Sequence, residues 1–146
     1  MTYGFATPGL RAALLGAAIL AAPSGHAQGS GGDIVQPMPD DLSALRWEAR
    51  PVLLFAASAN DAAYTEQLAA LREARAGLAD REIVVLADTS PDMNGALRQR
   101  FGPDGFLFVL VGKDGGVKRT ETAPIAAGSL FDTIDAMPMR QREMSE

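Results

Sequence analysis

The sequence predicts a single α/β domain, and three observations lead to this prediction. Two short apolar runs, 52–56 and 82–88, are separated by a helical pattern, which is typical of two parallel strands joined by a crossover helix. A third apolar run, 106–112, is followed by an Asp-Gly turn and a short polar strand, which together indicate a β-hairpin. An amphipathic stretch at 125–136 then predicts a closing helix.

The predicted elements follow one another in the order β-α-β-α-β-β-α, with an extra N-terminal helical segment at 41–46. Pro51 opens the first strand, whose continuously apolar sequence suits a central strand covered on both faces. Apolar residues at helical spacing predict the crossover helix over 61–78. A Ser-Pro pair opens a second helix, 91–101, which a glycine ends. A parallel pair followed by a hairpin and a closing helix is the plan of a thioredoxin-like fold.

The first residues of the chain have the pattern of a secretory signal peptide, predicted over 1–27. Its only charged residue, Arg11, is followed by an apolar run that is too short to cross a bilayer, and small residues lie at the expected cleavage site. Residues 28–39 are rich in Gly, Ser and Pro and predict a flexible leader. The domain with its C-terminal tail is predicted over 40–146, periplasmic or secreted, with no stable membrane anchor after cleavage.

Composition narrows the possible functions of the exported chain. Without the signal, 12 basic residues oppose 18 acidic ones, a net charge of −6, which argues against nucleic acid and anionic membrane surfaces as partners. The chain has no cysteine, and its one histidine, His26, lies in the predicted signal. Thiol chemistry and imidazole proton transfer are therefore excluded from the domain. We expect no catalytic residue, no metal site and no cofactor, and enzymatic activity is the less favoured alternative.

In thioredoxin-like enzymes the reactive thiols lie just after the first central strand, at the N-terminus of the following helix. Residues 57–64 occupy that place here and contain no sulfur nucleophile. In one interpretation Ser58 or Asn60 caps the helix, Asp61 favours its positive end and Tyr64 packs on the core. In the other, the four residues form a binding site for a polar or anionic ligand, with Tyr64 as the best contact because Asp61 would repel an anion.

The C-terminal string is the most distinctive local sequence, because helix periodicity alone does not explain two methionines around a proline followed by alternating charge. One interpretation is that the tail folds back and its methionines fill gaps in the core. The other is that it binds a partner through methionine and arginine. The candidate residues of this tail are Met137, Pro138, Met139 and Arg140.

Several other residues are predicted to be structural. The lone Trp47 is expected to pack the N-terminal helical segment onto the domain. Arg98 is expected to be a surface charge. Asp88 and Asp92 flank a turn at the carboxyl end of a strand, where they either cap it in contact with solvent or hold a hard cation. The absence of an EF-hand-like spacing favours solvated caps.

Three strings carry a resemblance to a known family: RPVLLF at 50–55, VGKDGGVK at 111–118 and IDAMPMRQ at 134–141. With them the chain resembles, over about 45–144, the bacterial exported proteins of domain-of-unknown-function family 4174, and similar domains occur in animal sushi-repeat and extracellular-matrix-associated proteins. The resemblance implies a thioredoxin-like fold and export, and it transfers no catalytic residue. Its animal members imply an extracellular interaction role.

Two functional hypotheses follow. The leading one is a non-catalytic protein-interaction module that binds an unknown envelope or extracellular protein. The alternative is a small-molecule-binding or antioxidant-related protein that uses the vacated thiol site, and it predicts a pocket lined by Ser58, Asn60, Tyr64 and the 102–106 loop. A purely structural envelope protein makes no sharp prediction.

Overall fold

The structure is a computed structural model that describes residues 32–146. The predicted signal, 1–27, and the first part of the predicted leader, 28–31, lie outside the described residues. Within the described part of the chain, no helix has both the length and the apolar character needed to span a membrane.

A five-stranded mixed sheet forms the centre of the domain, with the strand order β1-β3-β2-β4-β5. Strands β1 and β2 both run parallel to β3, whereas β4 runs antiparallel to β2 and to β5. The predicted parallel pair and hairpin are thus both present. The strands are β1 (Val35–Pro37), β2 (Arg50–Phe55), β3 (Ile83–Asp88), β4 (Leu107–Val111) and β5 (Val117–Glu121).

Helices cover both faces of the sheet. Because successive side chains of a strand point to opposite faces, Val52 and Leu54 of β2 pack on one side and Leu53 and Phe55 on the other. The first side is covered by α1, α2 and α4, the second by α3 and the segment before β2. The helices are α1 (Ala62–Glu73), α2 (Arg75–Asp80), α3 (Ala96–Phe101), α4 (Ala127–Asp135) and α5 (Pro138–Ser145).

The prediction of a flexible leader over 28–39 is corrected at 35–37, which form the edge strand β1. Val35 pairs with Val85 of β3, and the Met38 amide donates to the Ala87 carbonyl at 3.1 Å. Just before the strand, Asp33 pairs with Arg72 of α1, with 2.6 Å between Oδ2 and Nη2. A three-residue strand is too short to show a period in the sequence, so its formation depends on the exposed edge of β3.

Three predicted helices are shorter than expected. The crossover helix is divided at Ala74 into α1 and α2. The second is a 3-10 turn, Pro91–Met93, separated from α3 by Asn94 in the left-handed region at φ 43°. The N-terminal segment is the 3-10 turn Ser43–Leu45. At the second helix the cause is local, because the left-handed backbone of Asn94 cannot continue a right-handed helix.

Candidate functional site

The vacated thiol position lies where the sequence predicts it, between β2 and α1. Asp61 is the N-cap of α1, and its Oδ1 accepts a hydrogen bond from the Tyr64 amide at 2.9 Å. The Ser58 hydroxyl accepts one from the Asn60 amide at 3.2 Å, and both residues are exposed. Tyr64 is buried in the core. The cap is therefore Asp61 and not Ser58 or Asn60, which corrects that part of the capping interpretation, whereas Tyr64 packs in the core as that interpretation expects. Ligand binding by the four residues stays a prediction.

This position offers little chemistry. In the described residues no amine or imidazole contacts the Ser58 hydroxyl, so nothing activates it as a nucleophile. Burial raises the pKa of the Tyr64 phenol, which is therefore neutral at physiological pH. The described residues also contain no group of acidic or histidine side chains arranged to hold a metal ion.

Arg98 fills the space at the carboxyl ends of β2 and β3. Its Nε lies 2.9 Å from Asp88 Oδ2, and its Nη2 donates to the Ala56 and Asp88 carbonyls at 3.0 Å each. The two side chains are only 10% and 11% exposed, so the prediction of Arg98 as a surface charge is wrong. Burial alone would raise the pKa of Asp88, but the Arg98 and Ser90 hydrogen bonds outweigh it and lower this pKa. The pair stays ionised and internally neutral.

A shallow cavity of about 390 Å³ lies beside this pair, at the ends of β1 and β3. It is lined by Asp88 and Arg98 and by the segment that follows β1, and none of Ser58, Asn60, Tyr64 or the 102–106 loop contributes to it. Neither this cavity nor the larger one at the start of β2 is lined by the residues of the pocket that the small-molecule hypothesis predicts at the vacated site.

The larger of these two cavities, about 570 Å³, lies at the opposite end of the central strand β2 from the vacated position. Arg50, one of its lining residues, begins β2, whereas the vacated position follows the end of the same strand. Cavities that bind small molecules have about 300–1,000 Å³, so this one has a suitable size. Its walls are Arg50, the β4–β5 hairpin residues Gly112, Lys113, Asp114 and Lys118, and the α4–α5 residues Thr133, Ala136, Met137, Pro138, Met139 and Arg142.

The predicted tail forms part of this cavity, and it is helical. Pro138 is the first residue of α5, a position that proline favours. Met137 packs against the core, while Met137, Pro138 and Met139 line the cavity. The fold-back interpretation thus holds for Met137, whereas partner binding by this tail stays a prediction. Periodicity fails here because α5 is short and polar, and charged contacts hold it in place.

Glu143 attaches α5 to the start of β2. Its Oε1 lies 3.1 Å from Arg50 Nη2 and 2.8 Å from Lys113 Nζ, and Lys113 also pairs with Glu82. Arg50 is 1% exposed. Burial alone would raise the pKa of Glu143, but hydrogen bonds from Lys113 and Arg50 outweigh it and lower this pKa to about 2. Glu143 is therefore ionised throughout the physiological range.

Arg140 is the buried residue of α5, and its ion pairs also hold this helix against the rest of the domain. Its Nη2 lies 2.5 Å from Asp80 Oδ2, and its Nε lies 3.3 Å from Asp135 Oδ1. Asp135 also pairs with Arg81, with 2.7 Å between Oδ2 and Nη2. The Arg81 and Arg140 hydrogen bonds outweigh burial and lower the pKa of Asp135. The Arg140 side chain is 9% exposed, so its guanidinium faces the interior of the domain.

Trp47 lies beside the same hairpin, and the prediction that it packs on the domain is wrong. The side chain is 58% exposed, and its backbone is in the left-handed region at φ 68°. Its amide donates to the Lys113 carbonyl at 2.7 Å, which holds the backbone in this strained conformation. The Arg46 guanidinium lies 5.6 Å from the centre of the indole ring.

Sequence reasoning missed the cationic residues of the cavity, Arg50, Lys113, Lys118 and Arg142. Each lies in an ordinary local context, and no spacing links them. One signal was available: the three strings that carry the family resemblance, 50–55, 111–118 and 134–141, each contribute residues to this cavity.

These observations define a class of protein, a thioredoxin-like domain without thiol chemistry. Its fold is similar to that of the reduced 2-Cys peroxiredoxin of Plasmodium vivax, with a TM-score of 0.53 and 14% identity over 70% of this chain and 84% of the peroxiredoxin. At this identity the likeness concerns the fold alone.

The chain belongs to the family described as Domain of unknown function (DUF4174), whose model matches residues 41–143. It is also 29% identical over 134 residues to Coiled-coil domain-containing protein 80 of Danio rerio, which covers 71% of this chain. The chain spans only 16% of the length of that protein.

Proposed function

We propose that this chain is an exported, non-catalytic module that binds another protein in the periplasm or outside the cell. The observation that carries the proposal is the exposure of its only tryptophan, Trp47, at 58%. Tryptophan is one of the three residue types enriched among the side chains that contribute most to binding at protein interfaces. Export is supported by the signal pattern at 1–27.

The surroundings of Trp47 support a contact surface rather than a chance exposure. The Lys113 carbonyl fixes the backbone at Trp47, and the side chain lies over Arg46 rather than in the core. A side chain whose position is fixed before binding loses less conformational entropy when a partner covers it. The contact surface therefore comprises Arg46, Trp47 and the adjoining hairpin. It lies towards the start of β2, whereas the vacated thiol position follows the end of that strand.

Photo-crosslinking in intact cells tests this proposal. A photoreactive residue is placed at Arg46, and a matched one at the exposed Asn60 of the vacated site. We expect a reproducible protein adduct from position 46, reduced about thirtyfold by Trp47→Ala, because removal of an interface tryptophan costs about 2 kcal/mol. Thermal unfolding of Trp47→Ala serves as the folding control.

Two results would overturn the proposal. The first is the absence of a reproducible adduct from position 46. The second is an adduct from Asn60 that Trp47→Ala leaves unchanged, which would return the binding site to the vacated position. Accumulation of the chain with 1–27 uncleaved in the cytoplasm would overturn the export part of the proposal.

A further inference from the structure

We propose that the cavity between the β4–β5 hairpin and α5 binds a small organic anion, a carboxylate or phosphate head group that carries a short apolar chain. This inference concerns a different feature from Trp47, and it stands whether or not the chain also binds a protein. It follows from the shape of the cavity, from its apolar wall and from its charge.

One wall of the cavity is apolar. It is formed by four consecutive residues at the junction of α4 and α5, namely Ala136, Met137, Pro138 and Met139. The unbranched, polarisable methionine side chains adapt to ligands of different shape. A wall of this kind accommodates a short apolar chain, because burying each methylene of that chain away from water is favourable.

The lining also carries four cationic side chains, three from β2 and the hairpin and one from α5, and most of their charge is balanced inside the protein. Arg50 and Lys113 are neutralised by Glu143 and Glu82. Lys118 pairs with Asp114, the one carboxylate of the lining, with 2.9 Å between Nζ and Oδ2. The other oxygen of Asp114 accepts a hydrogen bond from the Gly116 amide at 3.0 Å.

Arg142 supplies the positive charge that is left over. Its Nε donates only to the Pro138 carbonyl, at 3.4 Å, and within residues 32–146 no carboxylate lies at ion-pair distance from its guanidinium. Three of the four cations of the lining are paired with carboxylates, and Glu143 also pairs with Arg140, whose other partners are Asp80 and Asp135. The exposed Arg142 therefore leaves one positive charge at the cavity, in a chain whose net charge is −5. One negative charge would balance it, whereas a cationic ligand would meet uncompensated repulsion.

An amide chemical-shift titration of the isotope-labelled full chain tests the inference. Hexanoate and hexyl phosphate are compared with hexylamine, which has the same apolar chain and the opposite charge. We expect both anions to shift the amides of Gly112, Lys118 and Met139 with saturation, and hexylamine to leave them in place. The tighter of the two anions identifies the head group.

Variants assign the binding to the charge of Arg142. We expect Arg142→Gln to weaken the binding of the tighter anion about tenfold, because a charge-assisted hydrogen bond is lost. Arg100→Gln removes the same charge from an exposed residue of α3 and should leave the affinity unchanged. Equal shifts with hexylamine, no shifts at the cavity amides, or equal weakening by the two variants would each overturn the proposal. Crosslinking at Arg46 is a separate measurement, so either proposal can fail alone.

Discussion

Arg50 and Glu143, which lie 93 residues apart, form a two-point ion pair that attaches the last helix to the first residue of the central strand. Arg50 Nη2 lies 3.1 Å from one carboxylate oxygen, and Nη1 lies 3.3 Å from the other. Nη1 also donates to the Arg81 carbonyl at 2.9 Å. Because Arg50 is 1% exposed, its charge depends on Glu143 for compensation.

Replacement of Glu143 by glutamine is the first test of this attachment. The change keeps the shape of the side chain but leaves the Arg50 guanidinium buried without its anion, so we expect the free energy of unfolding to fall by about 3 kcal/mol. Urea unfolding measures it. The control Glu48→Gln alters an exposed glutamate and should change stability by less than about 0.5 kcal/mol. Similar small effects from both variants would contradict the role of the pair.

The same carboxylate makes stability depend on pH. The pKa of Glu143 is lowered from 4.5 to about 2 in the folded state, so its contribution is present above the unfolded value and is lost as the pH falls towards 2. Since the side chain is 26% exposed, we expect this loss to reach about 2 kcal/mol. Denaturant unfolding between about pH 6 and pH 3 measures it. The Glu143→Gln variant should show a shallower dependence, and identical slopes would contradict the assignment.

Asp61 is the N-cap that the structure shows for α1, and its capping bond can be tested. Asp61→Ala removes the acceptor for the Tyr64 amide and should cost about 1 kcal/mol of stability, whereas Asp61→Asn keeps an acceptor and should cost only a few tenths. Thermal unfolding of both variants at one pH compares them. If asparagine were as harmful as alanine, the charge of Asp61 rather than its capping bond would be the essential property.

Two helical glycines provide a matched test of packing. A Cβ at Gly77 would lie 2.5 Å from Cε2 of Phe131, a ring that the Arg81 guanidinium covers from 4.1 Å. We therefore expect Gly77→Ala to destabilise the domain by about 1–3 kcal/mol. A Cβ at Gly128 would meet nothing within 4 Å, so Gly128→Ala should stabilise the domain by about 0.5–1 kcal/mol. Chemical denaturation measures both, and effects of the same sign would contradict this packing.

The sequence predicts the central strands well because their information is local. The runs at 52–56, 82–88 and 106–112 overlap β2, β3 and β4, since a strand buried on both faces must be continuously apolar. The strand β1 and the helix α5 lack such a signal. The first exists because β3 offers it an edge, and the second because Glu143 reaches Arg50.

The candidate site was harder to predict because it depends on contacts between segments that are distant in the sequence. Composition correctly shows that thiol chemistry is absent, since that needs only a residue count. The cavity, however, joins residue 50 to the 112–118 hairpin and to 133–142, and only the strand order brings these segments together. Trp47 could not be predicted as exposed, because its position follows from a backbone hydrogen bond to the Lys113 carbonyl that leaves no trace in the sequence.

The two outer strands of the sheet have a consequence for how any protein could dock. At one side β1 is three residues long and ends in Pro37, with Pro39 just beyond, so little free backbone is available there. At the other side β5 carries Lys118, Arg119 and Glu121. Neither edge strand is therefore suited to pairing with a further strand. We therefore expect recognition through side chains, and we expect the folded domain to resist the strand-by-strand stacking that begins amyloid.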